Sequence, residues 1–117
     1  MPADQAKLKI LQQLMLKPDS TQRELAQALG ISLGSVNYCL HALAEKGCIK
    51  MHNFMNKKNK LVYAYLLTPS GIREKMLLTK YFLERKLAEY DALRSEIEAL
   101  RIEVEADVTD AGAGAGI

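Results

Sequence analysis

Much is missing from this chain of 117 residues, and each absence removes a class of function. No apolar run approaches the ~20 residues that a membrane-spanning helix needs. The N-terminus shows no signal-peptide pattern, so a cytoplasmic protein without membrane attachment is expected. Cys39 and Cys48 are the only cysteines; in a reducing compartment they read as packing residues and not as a disulfide. With His41 and His52 they show none of the C-x2-C or H-x3-H spacings that place ligands on one cation, so neither metal nor cofactor is expected. Nucleophile–base pairs are also missing, and both histidines lack a carboxylate partner in sequence. The terminal glycines do not follow a strand as a dinucleotide-binding loop would. An enzyme is therefore not expected.

What is present is ordinary globular composition with an uneven charge. Nearly half of the residues are apolar and a quarter charged, enough for one modest core with an appendage. Residues 1–60 hold nine Lys/Arg against four Asp/Glu, and residues 61–117 hold seven against ten. The basic half suits a polyanionic partner; the acidic half needs another explanation.

Residues 4–16 read as a first helix with a stripe of Leu8, Leu11 and Leu14 or Met15, broken by Lys17-Pro18-Asp19. Residues 21–47 carry the most information. Thr21 with Glu24 has the form of a capping box, Leu25, Ala26 and Leu29 repeat at helical spacing, and Gly30 can end that helix in the left-handed conformation. Ser32 can cap a second helix whose Val36, Leu40 and Leu43 share a face before Gly47 stops it. Two short helices joined by a Gly-containing turn predict a helix-turn-helix, the second helix built to enter a DNA major groove. The period then becomes alternating. Residues 48–52 and 61–67 read as strands around a polar loop, 53–60, with three lysines and three asparagines.

Thr68 and Pro69 suit the cap and first position of another helix, whose pattern runs to about Ala106. That is ~50 Å, more than so small a domain can cover. Leu83, Tyr90, Ile97 and Val104 recur every seven residues, and Leu93 and Leu100 complete an a/d seam, with Lys86 interrupting one d position. A coiled coil pairing two copies explains this. Residues 107–117, ending in an Ala-Gly repeat, are expected to be a disordered tail.

The fold expected is thus mainly α with a small β-hairpin: a winged helix-turn-helix over 1–68 (helix-turn-helix about 21–47, wing about 48–67) followed by a long C-terminal coiled-coil helix over 69–106. The element order and the segments TQRELAQALGIS, SVNYCLHALAEKGCI and LLTPSGI resemble MarR-type winged-helix transcriptional regulators. Over about residues 5–105 the chain is similar, more narrowly, to the small exopolysaccharide-associated members of that family. The resemblance implies a homodimeric transcription factor tied to surface-polysaccharide genes. Typical wings of the family carry an Asp-x-Arg motif where this one offers lysines. The short first helix shifts dimerisation to the C-terminal helix, and no residue argues for the family's phenolic-ligand pocket, so a small-molecule effector is left open.

If the second helix enters a groove, its outward set is Ser32, Leu33, Gly34, Ser35, Asn37, Tyr38 and His41. Asn37 suits adenine, Ser35 several bases, and Leu33 a thymine methyl. Thr21 and Gln22, at a helix N-terminus, and Lys50, Lys57, Lys58 and Lys60 are the candidate phosphate contacts. The expected partner is double-stranded DNA. The alternative is a protein-docking module, favoured by the lack of arginine on the second helix.

Overall fold

The computed structural model describes residues 2–55 and 57–115. Four helices and one hairpin follow in the order α1 (Ala3–Leu16), α2 (Gln22–Leu29), α3 (Leu33–Glu45), β1 (Ile49–Met55), β2 (Leu61–Leu67) and α4 (Pro69–Ala115). The chain divides into two compact units, residues 1–82 and 83–117. The boundary expected at residue 68 therefore lies inside α4, because the start of that helix packs with the first unit.

The core of the first unit comes from α1 (Ile10, Leu11, Leu14), α2 (Leu25), α3 (Val36, Cys39, Leu40, Leu43) and the start of the hairpin (Cys48, Ile49). The stripe read on α1 needs one correction: Ile10 is fully buried, whereas Met15 is 52 % exposed. Ile10 and Leu14, four residues apart, lie one above the other on the inner face, and Met15 is rotated off it.

Both helices of the helix-turn-helix end by one device. Gly30 (φ +67°) and Gly47 (φ +72°) take left-handed conformations that cost a Cβ-bearing residue roughly 1–2 kcal/mol. Each lets the following amide reach back across the last turn, Ile31 N–H to the Ala26 carbonyl at 3.1 Å and Cys48 N–H to that of Leu43 at 2.8 Å. Ile31 and Cys48 then turn inward onto the core. The caps are as expected: the Thr21 hydroxyl accepts from Glu24 N–H, and that of Ser32 from Ser35 N–H, both at 3.1 Å. The Glu24 carboxylate pairs with the Lys17 ammonium, which holds its pKa below the usual range, with Thr21 helping.

The strands form one antiparallel pair, with Ile49 opposite Leu67 and Met55 opposite Leu61. β1 runs three residues beyond the expected strand, because residues 53–55 each find a partner on β2 (Tyr63, Val62 and Leu61). The free edge of β2 is tied down by Tyr65 N–H donating to the Pro18 carbonyl at 2.9 Å. Asn59 turns the loop at φ +56°, a conformation that asparagine tolerates.

The first turn of α4 is fixed onto the end of α3. Thr68 N–H donates to the Cys48 carbonyl at 3.0 Å, the Thr68 hydroxyl donates to the Gly47 carbonyl, and that hydroxyl accepts from Gly71 N–H at 3.1 Å. Lys46 and Glu74 add an exposed ion pair at 3.2 Å. A Cβ on Gly71 would stand 1.9 Å from the Cys48 oxygen. α4 continues past Ala106 to Ala115, so the tail expected from residue 107 is helical over its described part. Alanine's propensity and the Thr109 hydroxyl on the Glu105 carbonyl (2.9 Å) fit a helical continuation. Gly116 and Ile117 of that tail lie outside the described residues.

Gly71→Ala is expected to destabilise the first unit. Forcing a methyl group against backbone costs about 1–3 kcal/mol or more, beyond the ~1 kcal/mol that alanine's helix propensity returns. Denaturant unfolding measures the difference, and an unchanged midpoint would refute the close approach.

Candidate nucleic-acid interface

α3 presents its outer side to solvent because its core residues, Val36, Cys39, Leu40 and Leu43, occupy a single face. All seven outward residues are exposed: Ser32, Leu33, Gly34, Ser35, Asn37, Tyr38 and His41. They do not form one surface. Gln22, His41, Ala44, Met51 and Tyr65 line a cleft of about 210 Å³ beside the hairpin. Gly34, Ser35 and Tyr38 line a separate groove of about 400 Å³ with Ala3 and Ala6 of α1.

Two side chains are already engaged. Ser32 uses its hydroxyl as the N-cap and donates to the Ser35 hydroxyl at 2.9 Å. The Asn37 side-chain amide donates to the Gln22 side-chain oxygen Oε1 at 3.4 Å, a long hydrogen bond tying the second turn of α3 to the N-terminus of α2. Thr21 is exposed and Gln22 half-buried, beside the amide groups that open α2. Unpaired N–H groups and the helix dipole make that end favourable for a phosphate.

Lysines 57, 58 and 60 are exposed in the hairpin loop. Lys50 is exposed too, but it pairs with Leu66, on the face opposite to Met51 and Tyr65. The fold therefore does not bring Lys50 to the cleft shared with Gln22 and His41. Asn56, the remaining asparagine of the loop, lies outside the described residues.

The hairpin contributes something that residue-by-residue reading missed. Met51 opposite Tyr65, Asn53 opposite Tyr63 and Met55 opposite Leu61 share one face. Met51, Met55, Leu61 and Tyr63 are each more than half exposed on it. Part of that face, with Asp19, Thr21 and Gln22, borders a groove of about 410 Å³. No alternation could have marked it, because β2 is apolar on both faces, and only the register shows which apolar residues coincide.

In the second unit every described side chain from Leu83 to Ala111 is exposed, the seam residues Leu83, Tyr90, Leu93, Ile97, Leu100 and Val104 being 44–60 % so. Cys39 and Cys48 are buried in the first unit, and burial pushes both thiols above their ordinary pKa. Among the described residues no three His, Cys, Asp or Glu side chains gather as a metal site, and no helix is long and apolar enough to cross a membrane.

Ser32→Ala is expected to lower stability by about 1 kcal/mol, the usual worth of an N-cap, whereas Ser35→Ala should be near neutral. Equal effects in thermal unfolding would contradict the capping geometry.

The model of the family described as winged helix-turn-helix DNA-binding matches residues 4–50. Among solved structures, the candidate transcriptional regulator TA0346 of Thermoplasma acidophilum is similar at 22 % identity and TM-score 0.59, over 74 % of this chain and 89 % of that one. A MarR/EmrR family transcriptional regulator of Acinetobacter sp. ADP1 is similar at 23 % identity and TM-score 0.55, over 85 % and 74 %. MepR of S. aureus, in a complex with DNA, is similar at 24 % identity and TM-score 0.54, over 70 % and 56 %. At such identities the likeness is one of fold. No curated protein matches the chain.

Proposed function

We propose that this chain is a cytoplasmic, non-enzymatic transcriptional regulator of the MarR type that binds a pseudo-palindromic DNA site as a homodimer. The observation that carries the reading is the joint exposure of α3's outer turns, the N-terminus of α2 and a hairpin loop with three lysines, all in one winged helix-turn-helix unit. The likeness to MepR, solved with DNA, supports the same assignment. In this reading α3 enters the major groove, Asn37, His41 and Leu33 meet base edges, and Thr21, Gln22 and the loop lysines clamp phosphates. Lysine is a point charge without arginine's planar fork, so the wing supplies affinity with little sequence reading. Each subunit occupies one half-site, with half-site centres about one helical turn apart. The segments resembling exopolysaccharide-associated regulators suggest surface-polysaccharide genes as targets.

One observation favours a second reading, a protein-docking module. α3 carries no arginine, and the hairpin face beside it is apolar, with exposed Met51, Leu61 and Tyr63. Duplex binding that survives physiological salt separates the two.

Selection of genomic fragments by the purified protein, followed by sequencing, is expected to enrich a pseudo-palindrome upstream of polysaccharide genes. No enrichment by folded protein would favour docking. Replacing Lys57, Lys58 and Lys60 together by Ala should weaken binding to all sequences alike. The salt dependence should flatten by roughly 0.9 logarithmic units for each phosphate that the wing no longer neutralises; an unchanged slope would remove the wing from the interface. Asn37→Ala should relax the preference at one base pair of each half-site by about 1–3 kcal/mol. An unaltered preference in a binding-site library would exclude Asn37 as a reader.

A further inference from the structure

Residues from Leu83 onward form a helical unit whose apolar stripe no part of the described chain covers. We propose that this unit pairs with a second copy of itself as a parallel, in-register, two-stranded coiled coil. The inference rests on the homodimer reading above and fixes what that reading leaves open: strand direction and register.

The direction follows from charge. With Leu83, Tyr90, Ile97 and Val104 at a, the g positions flanking the seam are Glu89, Glu96 and Glu103, and the central e positions are Arg94 and Arg101. Parallel helices bring each g residue beside the e residue five places later on the partner. Glu89 then meets Arg94 of the other copy, Glu96 meets Arg101, and the reciprocal pairs form as well. Antiparallel helices set g against g and e against e, which opposes glutamates to glutamates and arginines to arginines. One direction has four attractive pairs and the other only repulsive ones.

The strand number follows from side-chain shape. Ile97 and Val104 are β-branched at a, and Leu93 and Leu100 occupy d, the combination that packs best in a parallel dimer. Lys86 breaks the d series, but its ammonium bonds the Glu89 carboxylate of its own helix at 3.1 Å, and Leu87, also exposed, supplies an apolar group beside it. The seam is therefore strongest towards Val104.

Strand direction also sets geometry. In a parallel pair the two Leu83 ends lie side by side, each joined directly to a winged-helix unit. In an antiparallel pair those ends are about 30 Å apart, given the 1.5 Å rise per residue between Leu83 and Val104.

The test is cysteine cross-linking of the full chain, with Val104→Cys and, separately, Tyr90→Cys, under oxidised glutathione, alongside sedimentation equilibrium of the unmodified protein. The native cysteines are buried and serve as the background. A dimer by sedimentation, with disulfide-linked dimers from both variants, is expected. A dimer in which neither variant links would overturn the parallel register and leave the homodimer intact. A trimer or tetramer would overturn the two-stranded coil together with the homodimer. A monomer at tens of micromolar would overturn the inference together with the homodimer on which it rests.

Discussion

The short corner at Gly47 and Cys48 is the constraint on which the rest of the first unit depends. Its backbone closes α3, starts the hairpin and receives the first turn of α4 on the Gly47 and Cys48 carbonyls. Three elements share two peptide groups, so no side chain larger than hydrogen fits at Gly71. The Leu-Thr-Pro-Ser-Gly segment is the sequence form of that junction. Threonine caps and donates, proline pre-sets the first helical residue, and glycine permits the close approach.

The surface assigned to DNA is built on restraint more than on charge. The α2–α3 pair is held by two capped helix starts and two left-handed glycines, and Gln22 already meets Asn37 before any ligand arrives. Side chains ordered in advance lose less rotamer freedom on binding. The cationic part is carried separately, on the hairpin loop. In the proposed function, base reading therefore falls to α3 and most of the phosphate charge to the tip of a two-stranded ribbon.

Local signals made most of this fold legible. Capping residues, left-handed glycines and the change from helical to alternating period are encoded within a few residues, and they set α2, α3 and the two strands. What escaped the sequence depends on longer distances. Met15 and Ile10 compete for the inner face of α1, and only the packed partners decide. By number Lys50 belongs with the other wing lysines, yet register turns it to the opposite face of the hairpin. The division at Phe82 was hidden because α4 is continuous in pattern while only its start has neighbours to pack against. At the far end, alanine's propensity outweighed the glycines down to Ala115.

The two cysteines have a consequence beyond packing. Both thiols are enclosed and disfavoured as thiolates, so an oxidant meets them only when the fold opens. Cys48 sits at the junction held by Thr68 and Gly71, whereas Cys39 lies in the middle of α3. Release of α4's first turn would free the backbone of the former while leaving that of the latter in its helix. The rates at which the two thiols oxidise therefore report how often the backbone around each opens, one at a corner and the other inside a helix.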